Sequence, residues 1–361
     1  MSSATTSSLM ISAADRVTLT MKRLQPVIIS LVWISLAITG CSRSDGPDLL
    51  EFSGRTMGTW YTIKVVDLPA SITPDGLAQI IEAELDNVNN KMSTYKADSE
   101  LSRFNQTRIG QPFKVSPDTF DVISRSLDIW RLSQGAFDIT IGPLVNLWGF
   151  GPDGTVDHVP SAADMKNAWD RVGSDGLALQ VDDLELIKRK DLYVDLSAIA
   201  KGYAVDRVAE ALENQGVRRY LVEVGGEIRA GNSKTPKHSW QVAVEEPVFS
   251  KRQVHRVIKL DNAAMATSGD YRNYVEFEGK RYSHTIDPRD GHPIDHELVS
   301  ATVLMPSCAD ADAWATAMMV LGPELGLQIA EANNLAVYML LKADTGFEAL
   351  YSSKFGQYIE K

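Results

Sequence analysis

The stretch Leu177-Ala178-Leu179-Gln180-Val181-Asp182-Asp183-Leu184-Glu185-Leu186-Ile187 sets two apolar runs, 177–181 and 184–187, on either side of an aspartate pair. Aspartate is depleted in strand interiors and favoured in tight turns, so Asp182-Asp183 reads as a hairpin tip. A connection this short joins antiparallel strands, because a parallel neighbour needs a crossover of about a dozen residues or more. Glu278-Gly279 repeats the device between runs 271–277 and 280–286. Further strand-like runs, rich in β-branched and aromatic residues, lie at 59–66, 191–195, 219–224, 240–244, 254–260, 299–304 and 335–341.

Helical spacing is confined to a few places. Pro74 opens a run with Leu77, Ile80, Ile81, Leu85 and Val88 on one face. Ser116-Pro117 precedes Phe120, Ile123, Leu127 and Trp130. A third helix follows Ser197, through Tyr203, Val205, Val208 and Leu212, and stops at Gly216, which suits a C′ glycine. A final pair, 309–321 and 323–333, is broken at Gly322-Pro323. Strands follow strands through short turns and the helices are clustered. The expected class is therefore α+β with mainly antiparallel sheets, not a doubly wound parallel sheet. No internal repeat or Pro/Gly/Ser-rich linker divides residues 51–361, and 149–160 reads as a loop within one body.

The chain has 361 residues, with 36 Lys and Arg against 47 Asp and Glu, a net charge of −11. That balance argues against a nucleic-acid binder, which needs a basic footprint. Hydrophobic residues at 44% and charged residues at 23% exclude a disordered or collagen-like chain. Two cysteines, Cys41 and Cys308, exclude a disulfide-rich scaffold.

The amino-terminal segment has the pattern of an address. Lys22-Arg23 precedes an uncharged apolar run, Val27 to Gly40, too short to span a bilayer, which takes about 20 residues. A basic stretch, a short apolar core and small residues before a cut site describe a secretory signal peptide over 1–40. Ile38-Thr39-Gly40-Cys41 resembles the lipobox of bacterial lipoproteins, in which the cysteine is acylated. Residues 1–20 are Ser/Thr-rich and carry Asp15, unlike a signal n-region, so Met21 is the expected start. Residues 42–49 read as a polar tether between lipid and fold.

Several segments place polar residues and glycines where packing alone does not ask for them. Thr56-Met57-Gly58-Thr59 stands before a strand, and Lys91-Met92-Ser93-Thr94-Tyr95 runs into a Ser/Asp-rich loop. Residues 135–150, from Gly135 to Phe150, combine aromatics, one acid and glycines, which suits a slot for a planar heterocycle. Asp195 to Asp206 joins a strand end to a helix start, a favoured place for phosphates, with a plain Ser197 N-cap as the simpler account. Val224-Gly225-Gly226-Glu227 lets backbone approach a ligand, yet it lacks the dinucleotide-fold fingerprint because no helix follows. His284 ends a strand that runs into Asp287-Pro288-Arg289-Asp290-Gly291. Asp312 and Thr316 share one helix face, and a carboxylate with a hydroxyl there suits a hard cation such as Mg²⁺, unless they only cap the helix start.

Taken in order, these segments resemble the FAD:protein FMN transferase family, also called ApbE or flavin-trafficking lipoproteins and formerly assigned to thiamine biosynthesis. The matching stretches are TMGT at 56–59, MSTY at 92–95 with SELSRFN after it, and GAFDITIGPLVNLWGFG at 135–151. They continue with VDLSAIAKGYAVD at 194–206, YLVEVGGEIRAGN at 220–232, ATSGDYRNY at 266–274, SHTIDPRDGHP at 283–293 and DAWATAMMVLG at 312–322.

The resemblance implies a T-fold-related catalytic body that cleaves the pyrophosphate of FAD. FMN passes to a threonine hydroxyl of a target protein as a phosphoester, and AMP is released. Implied targets are subunits of the sodium-pumping quinone reductase and Rnf type. It implies FAD contacts from Met57, Tyr95, Ala136, Phe137, Asp138, Asp195, Lys201 and Ile286. It implies a Mg²⁺ site from Asp312, Thr316 and the Ala198 carbonyl, with His284 as base, and a lipid anchor at Cys41 on the periplasmic side of the inner membrane. Some relatives carry an acid where Lys201 stands and another where Ala315 stands. Two other activities fit the same residues: a periplasmic FAD-binding protein without chemistry, and an FAD pyrophosphatase giving FMN and AMP.

Overall fold

A computed structural model describes residues 49–151, 158–247, 253–270, 274–277 and 280–359. The signal peptide, the Met21 start, Cys41 and the tether up to residue 48 lie outside the described residues. The described residues belong to one unit, Pro47–Lys361.

The chain starts with β1 (Leu49–Thr56) and β2 (Thr59–Val66), then α1 (Pro74–Met92), α2 (Glu100–Asn105), β3 (Phe113–Lys114), α3 (Pro117–Leu132), α4 (Gly142–Leu147) and α5 (Ala162–Trp169). β4 (Leu177–Gln180) and β5 (Glu185–Lys188) precede α6 (Ala200–Asn214). Next come β6 (Arg219–Val224), β7 (Glu227–Ala230), β8 (Trp240–Glu245), β9 (Val254–Leu260), β10 (Ala263–Gly269), β11 (Tyr274–Phe277), β12 (Lys280–Ser283) and β13 (Leu298–Met305). α7 (Cys308–Ala332), β14 (Ala336–Lys342), β15 (Phe347–Tyr351) and α8 (Ser353–Ile359) complete it.

The 177–187 hairpin forms, with Leu177 opposite Lys188 and Gln180 opposite Glu185. It sits in a small sheet ordered β3-β5-β4, whereas the main sheet has eight strands in the order β1-β2-β6-β7-β10-β13-β14-β15. Every neighbouring pair in that sheet is antiparallel, as the α+β reading requires. The strands alternate their side chains between two cores. Ile63, Val65, Val222, Val224, Val303 and Val337 face the helices α1, α6 and α7. Val66, Leu304, Ala336, Tyr338 and Leu340 face the opposite way, against Trp240, Ile258 and Phe355 of the β8–β9 pair and α8. Among the described residues no helix is long and apolar enough to cross a membrane.

The helices begin where side chains meet their orphan amides. Thr73 accepts from Gly76 N–H at 3.1 Å ahead of Pro74, and Ser307 accepts from Asp310 N–H at 3.3 Å. α7 breaks at Gly322 (φ 74°, ψ 178°) before Pro323, as the sequence predicts. The break leaves carbonyls at the end of its first half, and side chains take them: His296 Nε2–H donates to Met319 O at 2.9 Å and Arg289 reaches Val320 O at 3.5 Å.

Four expectations need correction. Leu49 and Leu50 belong to β1, so the tether ends before residue 49. Residues 191–195 are extended but not a strand. The amide and carbonyl of Val194 bond the Asn105 side chain, both at 2.8 Å, and Asp195 N–H donates to Ile139 O, so no ladder forms. Ser197 does not cap α6, whose N-cap is Ile199 without a side-chain bond; Ser197 donates to Asp195 instead. The second strand of the 177–187 hairpin starts at Glu185, because Leu184 takes φ 53° and joins the turn.

Candidate active site

Seven segments meet around a cavity of about 460 Å³, a size that suits a small-molecule ligand, with Tyr95 contributed by the loop after α1. Residues 136–141 and Phe150 form one wall, and the 195–201 entry into α6 forms another. The β6–β7 tip adds Gly225 and Glu227, and the end of β10 adds Thr267 and Ser268. The 284–288 segment and the face of α7 bearing Asp312, Thr316 and Met319 close it.

Of the residues singled out from sequence, Tyr95, Ala136, Phe137, Asp138, Asp195, Ala198, Lys201, His284, Ile286, Asp312 and Thr316 all line this one cavity. Met57 does not. It occupies the β1–β2 turn with φ 48° and packs on the main core. That turn is tied to the cavity wall, because Gly225 N–H donates to Trp60 O at 2.9 Å.

The apolar side of the cavity is built from buried, hydrogen-bonded segments. Ala136 and Phe137 are buried, and Phe137 N–H is held by Ser133 Oγ at 3.1 Å. Ile286 is buried in a small cluster with Leu144, Trp148 and Val172. The Trp148 indole donates to Gly291 O at 3.3 Å and the Trp169 indole to Pro288 O at 3.0 Å, which fastens the turn after His284. Phe150 lies edge-on to His284, ring centroids 6.1 Å apart. Tyr95 is the exposed aromatic at the rim, 72% accessible.

Two acids, one on each of these walls, are already engaged. Asp138 Oδ1 accepts from Thr140 N–H (2.8 Å), Thr140 Oγ1 (2.6 Å) and Ser174 Oγ (2.7 Å), and Oδ2 from Ser174 N–H (3.0 Å). Its main work is to order the 138–141 loop against residues 173–174. Asp195 Oδ1 accepts from the Ser197 amide at 2.8 Å and from Ser197 Oγ at 2.5 Å.

The polar end holds one cation between two buried carboxylates. Lys201 Nζ lies 3.4 Å from Asp312 Oδ2 and 3.6 Å from Glu227 Oε1. Asp312 Oδ2 also accepts from Gly202 N–H at 3.1 Å. In a regular helix that amide would bond the Ala198 carbonyl, which here takes no backbone hydrogen bond from the described residues. Thr316 Oγ1 lies 3.2 Å from Ser268 Oγ. Carboxylate, carbonyl and hydroxyl oxygens are the donor set of a hard cation, so these residues fit Mg²⁺. Among the described residues no cluster of three His, Cys, Asp or Glu side chains that could hold a metal is found, here or elsewhere, so the set rests on one carboxylate with carbonyl and hydroxyl oxygens.

Burial pushes the Glu227 carboxyl up to about 8; the Lys201 charge opposes the rise and Asp312 adds to it. Burial works against the Lys201 ammonium, but the two carboxylates outweigh it and raise it above its ordinary value. Glu227 and Ser268 had no role from sequence. A glutamate beside two glycines reads as an exposed turn, and the only local signal was its position between Val224 and Ile228.

The chain matches the ApbE family over residues 57–339. It is 44% identical over 326 residues to the FAD:protein FMN transferase of Vibrio cholerae serotype O1, covering 90% of this chain and 97% of that protein. It is 37% identical over 340 residues to the protein of the same name in Escherichia coli K12, covering 92% and 97%. The solved flavin transferase ApbE from Vibrio cholerae superposes with a TM-score of 0.80 at 44% identity, over 86% of this chain and 99% of that one. The apo flavinyl transferase ApbE of Pseudomonas stutzeri gives 0.79 at 39% identity, over 87% and 98%. With matches of this extent in sequence and in fold, the chain belongs to the ApbE family.

Proposed function

We propose that this protein is an FAD:protein FMN transferase that moves FMN onto a threonine hydroxyl of an acceptor protein and releases AMP. The observation that carries the reading is convergence. An apolar slot (Ala136, Phe137, Ile286), an oxygen donor set (Ala198, Asp312, Thr316) and a histidine line the same cavity, from segments far apart in the chain. Relatives of matching length are named for this transfer.

Phosphoryl-type transfer asks for positioning and charge neutralisation more than for covalent chemistry by the protein. Ala136, Phe137 and Ile286 hold the ring systems of FAD, with Tyr95 at the rim. Asp195 and Lys201 orient the pyrophosphate end. Ala198, Asp312 and Thr316 would hold Mg²⁺, which would supply positive charge to offset the pyrophosphate. The acceptor hydroxyl attacks the phosphorus on the FMN side, the bond to the bridging oxygen breaks, and AMP leaves with that oxygen. His284, half-buried in the cavity lining, takes the hydroxyl proton.

We further propose that the enzyme body runs from β1, at Leu49, to residue 361, and that Cys41 anchors it by lipid to the periplasmic face of the inner membrane. The basic–apolar–small pattern before Ile38-Thr39-Gly40-Cys41 supports this. Acceptor subunits of the sodium-pumping quinone reductase or Rnf type follow from the same resemblance.

The test is to mix the protein with FAD, Mg²⁺ and an acceptor domain and weigh the acceptor. A mass gain of one FMN, lost when the acceptor threonine is replaced by alanine, is the expected result. FMN free in solution beside an unmodified acceptor means a pyrophosphatase. Bound FAD left intact means a carrier.

A further inference from the structure

Glu227 lines the cavity and the proposed reaction does not use it; Asp138, also unused there, is already bonded to Thr140 and Ser174. Its side chain is 5% exposed, and its Oε2 has no hydrogen-bond partner among the described residues. Leaving a buried carboxylate oxygen unmatched is costly, so its retention asks for a partner that arrives in another state. Space for one is kept open: a Cβ on Gly225 would come within 3.3 Å of Oε2.

Lys201 supplies that partner. Its ammonium is shared at long range, 3.4 Å from Asp312, 3.6 Å from Glu227 and 3.3 Å from Ser197 O, and commits to none of them. Charge-assisted hydrogen bonds close to about 2.7–2.9 Å when a pair is committed. Asp312 cannot serve an ammonium and a divalent cation at once, because two positive charges a few ångströms apart in a buried site repel strongly. We infer that Glu227 is a positioning residue that receives the Lys201 ammonium when a divalent cation binds at Asp312. The exchange keeps each carboxylate paired and frees Asp312 Oδ2 for the cation without expelling Lys201 into water.

This rests on the reading of Asp312 and Thr316 as a cation site, and the test separates the two. Mn²⁺ binding to metal-stripped, FAD-free protein is measured by electron paramagnetic resonance. The proteins are the wild type, Asp312→Ala, Glu227→Gln, Lys201→Met and the Glu227→Gln/Lys201→Met pair. Glu227→Gln is expected to weaken Mn²⁺ binding about tenfold, because Lys201 then stays on Asp312. In the Lys201→Met background the same change is expected to matter about twofold or less, since there is no ammonium left to receive. An equal loss in both backgrounds overturns the inference, because Glu227 then acts on the cation directly. So does wild-type affinity in Glu227→Gln. Binding that is absent, or unchanged in Asp312→Ala, removes the cation site itself and the inference with it. A crystal structure of the Mn²⁺-loaded wild type needs no variant: Nζ must close to about 3 Å from Glu227 and leave Asp312. Nζ still on Asp312 beside the metal refutes the exchange.

Discussion

Gly202→Ala adds one methyl group at the closest approach of two helices. Gly202 is in the first turn of α6, and a Cβ there would meet Cys308 O at 2.3 Å, Cys308 C at 2.6 Å and Ala309 Cα at 2.9 Å. All three are backbone atoms of the first turn of α7. They cannot swing aside, because Asp206 accepts from Cys308 N–H and Ala309 N–H, both at 3.0 Å, and is itself bonded by Arg229 at 2.8 Å. Non-bonded carbons rest about 3.5–4.0 Å apart, so the helices must part by roughly 1 Å. Overpacking of this kind costs about 1–3 kcal/mol, and three backbone contacts at once place it at the upper end. Alanine returns about 1 kcal/mol of helix propensity, leaving a net loss of about 2 kcal/mol. A domain of this size loses roughly 2–4 °C per kcal/mol, so calorimetry should show a drop of about 4–8 °C. The same separation stretches the Gly202 N–H bond to Asp312 Oδ2 from 3.1 Å and displaces Lys201 from its two carboxylates. A shift near 1 Å at a catalytic site costs about 100-fold in rate, read as acceptor mass gain with time. A melting temperature within about 1 °C and a rate within about twofold of wild type would refute the reasoning. The α6–α7 contact would then be compliant, and the cavity would not depend on it.

His284→Ala should slow FMN transfer by about 100-fold or more, as loss of a general base does, while FAD binding measured by fluorescence quenching stays near wild type. Weak FAD binding with a normal rate at saturation would make His284 a binding residue instead. Arg289→Ala removes the Asp287 ion pair and the contact to Val320 O, which hold the turn after His284. Amide exchange in 285–293 should quicken while β13 is unaffected, and transfer should slow; protection unchanged at both places would show that the two tryptophans suffice.

Periodicity and turn chemistry act over a few residues, and what they govern was legible in the sequence. α1, α3 and α6 appeared because each buries one face against a core, and the 177–187 hairpin because aspartates mark its tip. The antiparallel class followed from many strands and few helices. β1 escaped because an edge strand buries little: LLEFSGRT alternates only between exposed and half-buried positions. β10, AAMATSG, lacks the bulky β-branched run that marks a strand, and earns its place between β7 and β13 by small size beneath α7. Residues 191–195 have strand composition, yet their hydrogen bonds go to the Asn105 side chain, which no local pattern announces.

The same division runs through the site. Asp312 and Thr316 could be paired from sequence because helical spacing alone puts them on one face. Glu227 could not. Its burial, its raised carboxyl and its share of Lys201 arise only when the β6–β7 tip, the first turn of α6 and the face of α7 converge. Local propensity decides which segments are helix, strand or turn. Charge pairing is decided through space, between residues 201, 227 and 312, and only the folded chain brings them within reach of one another.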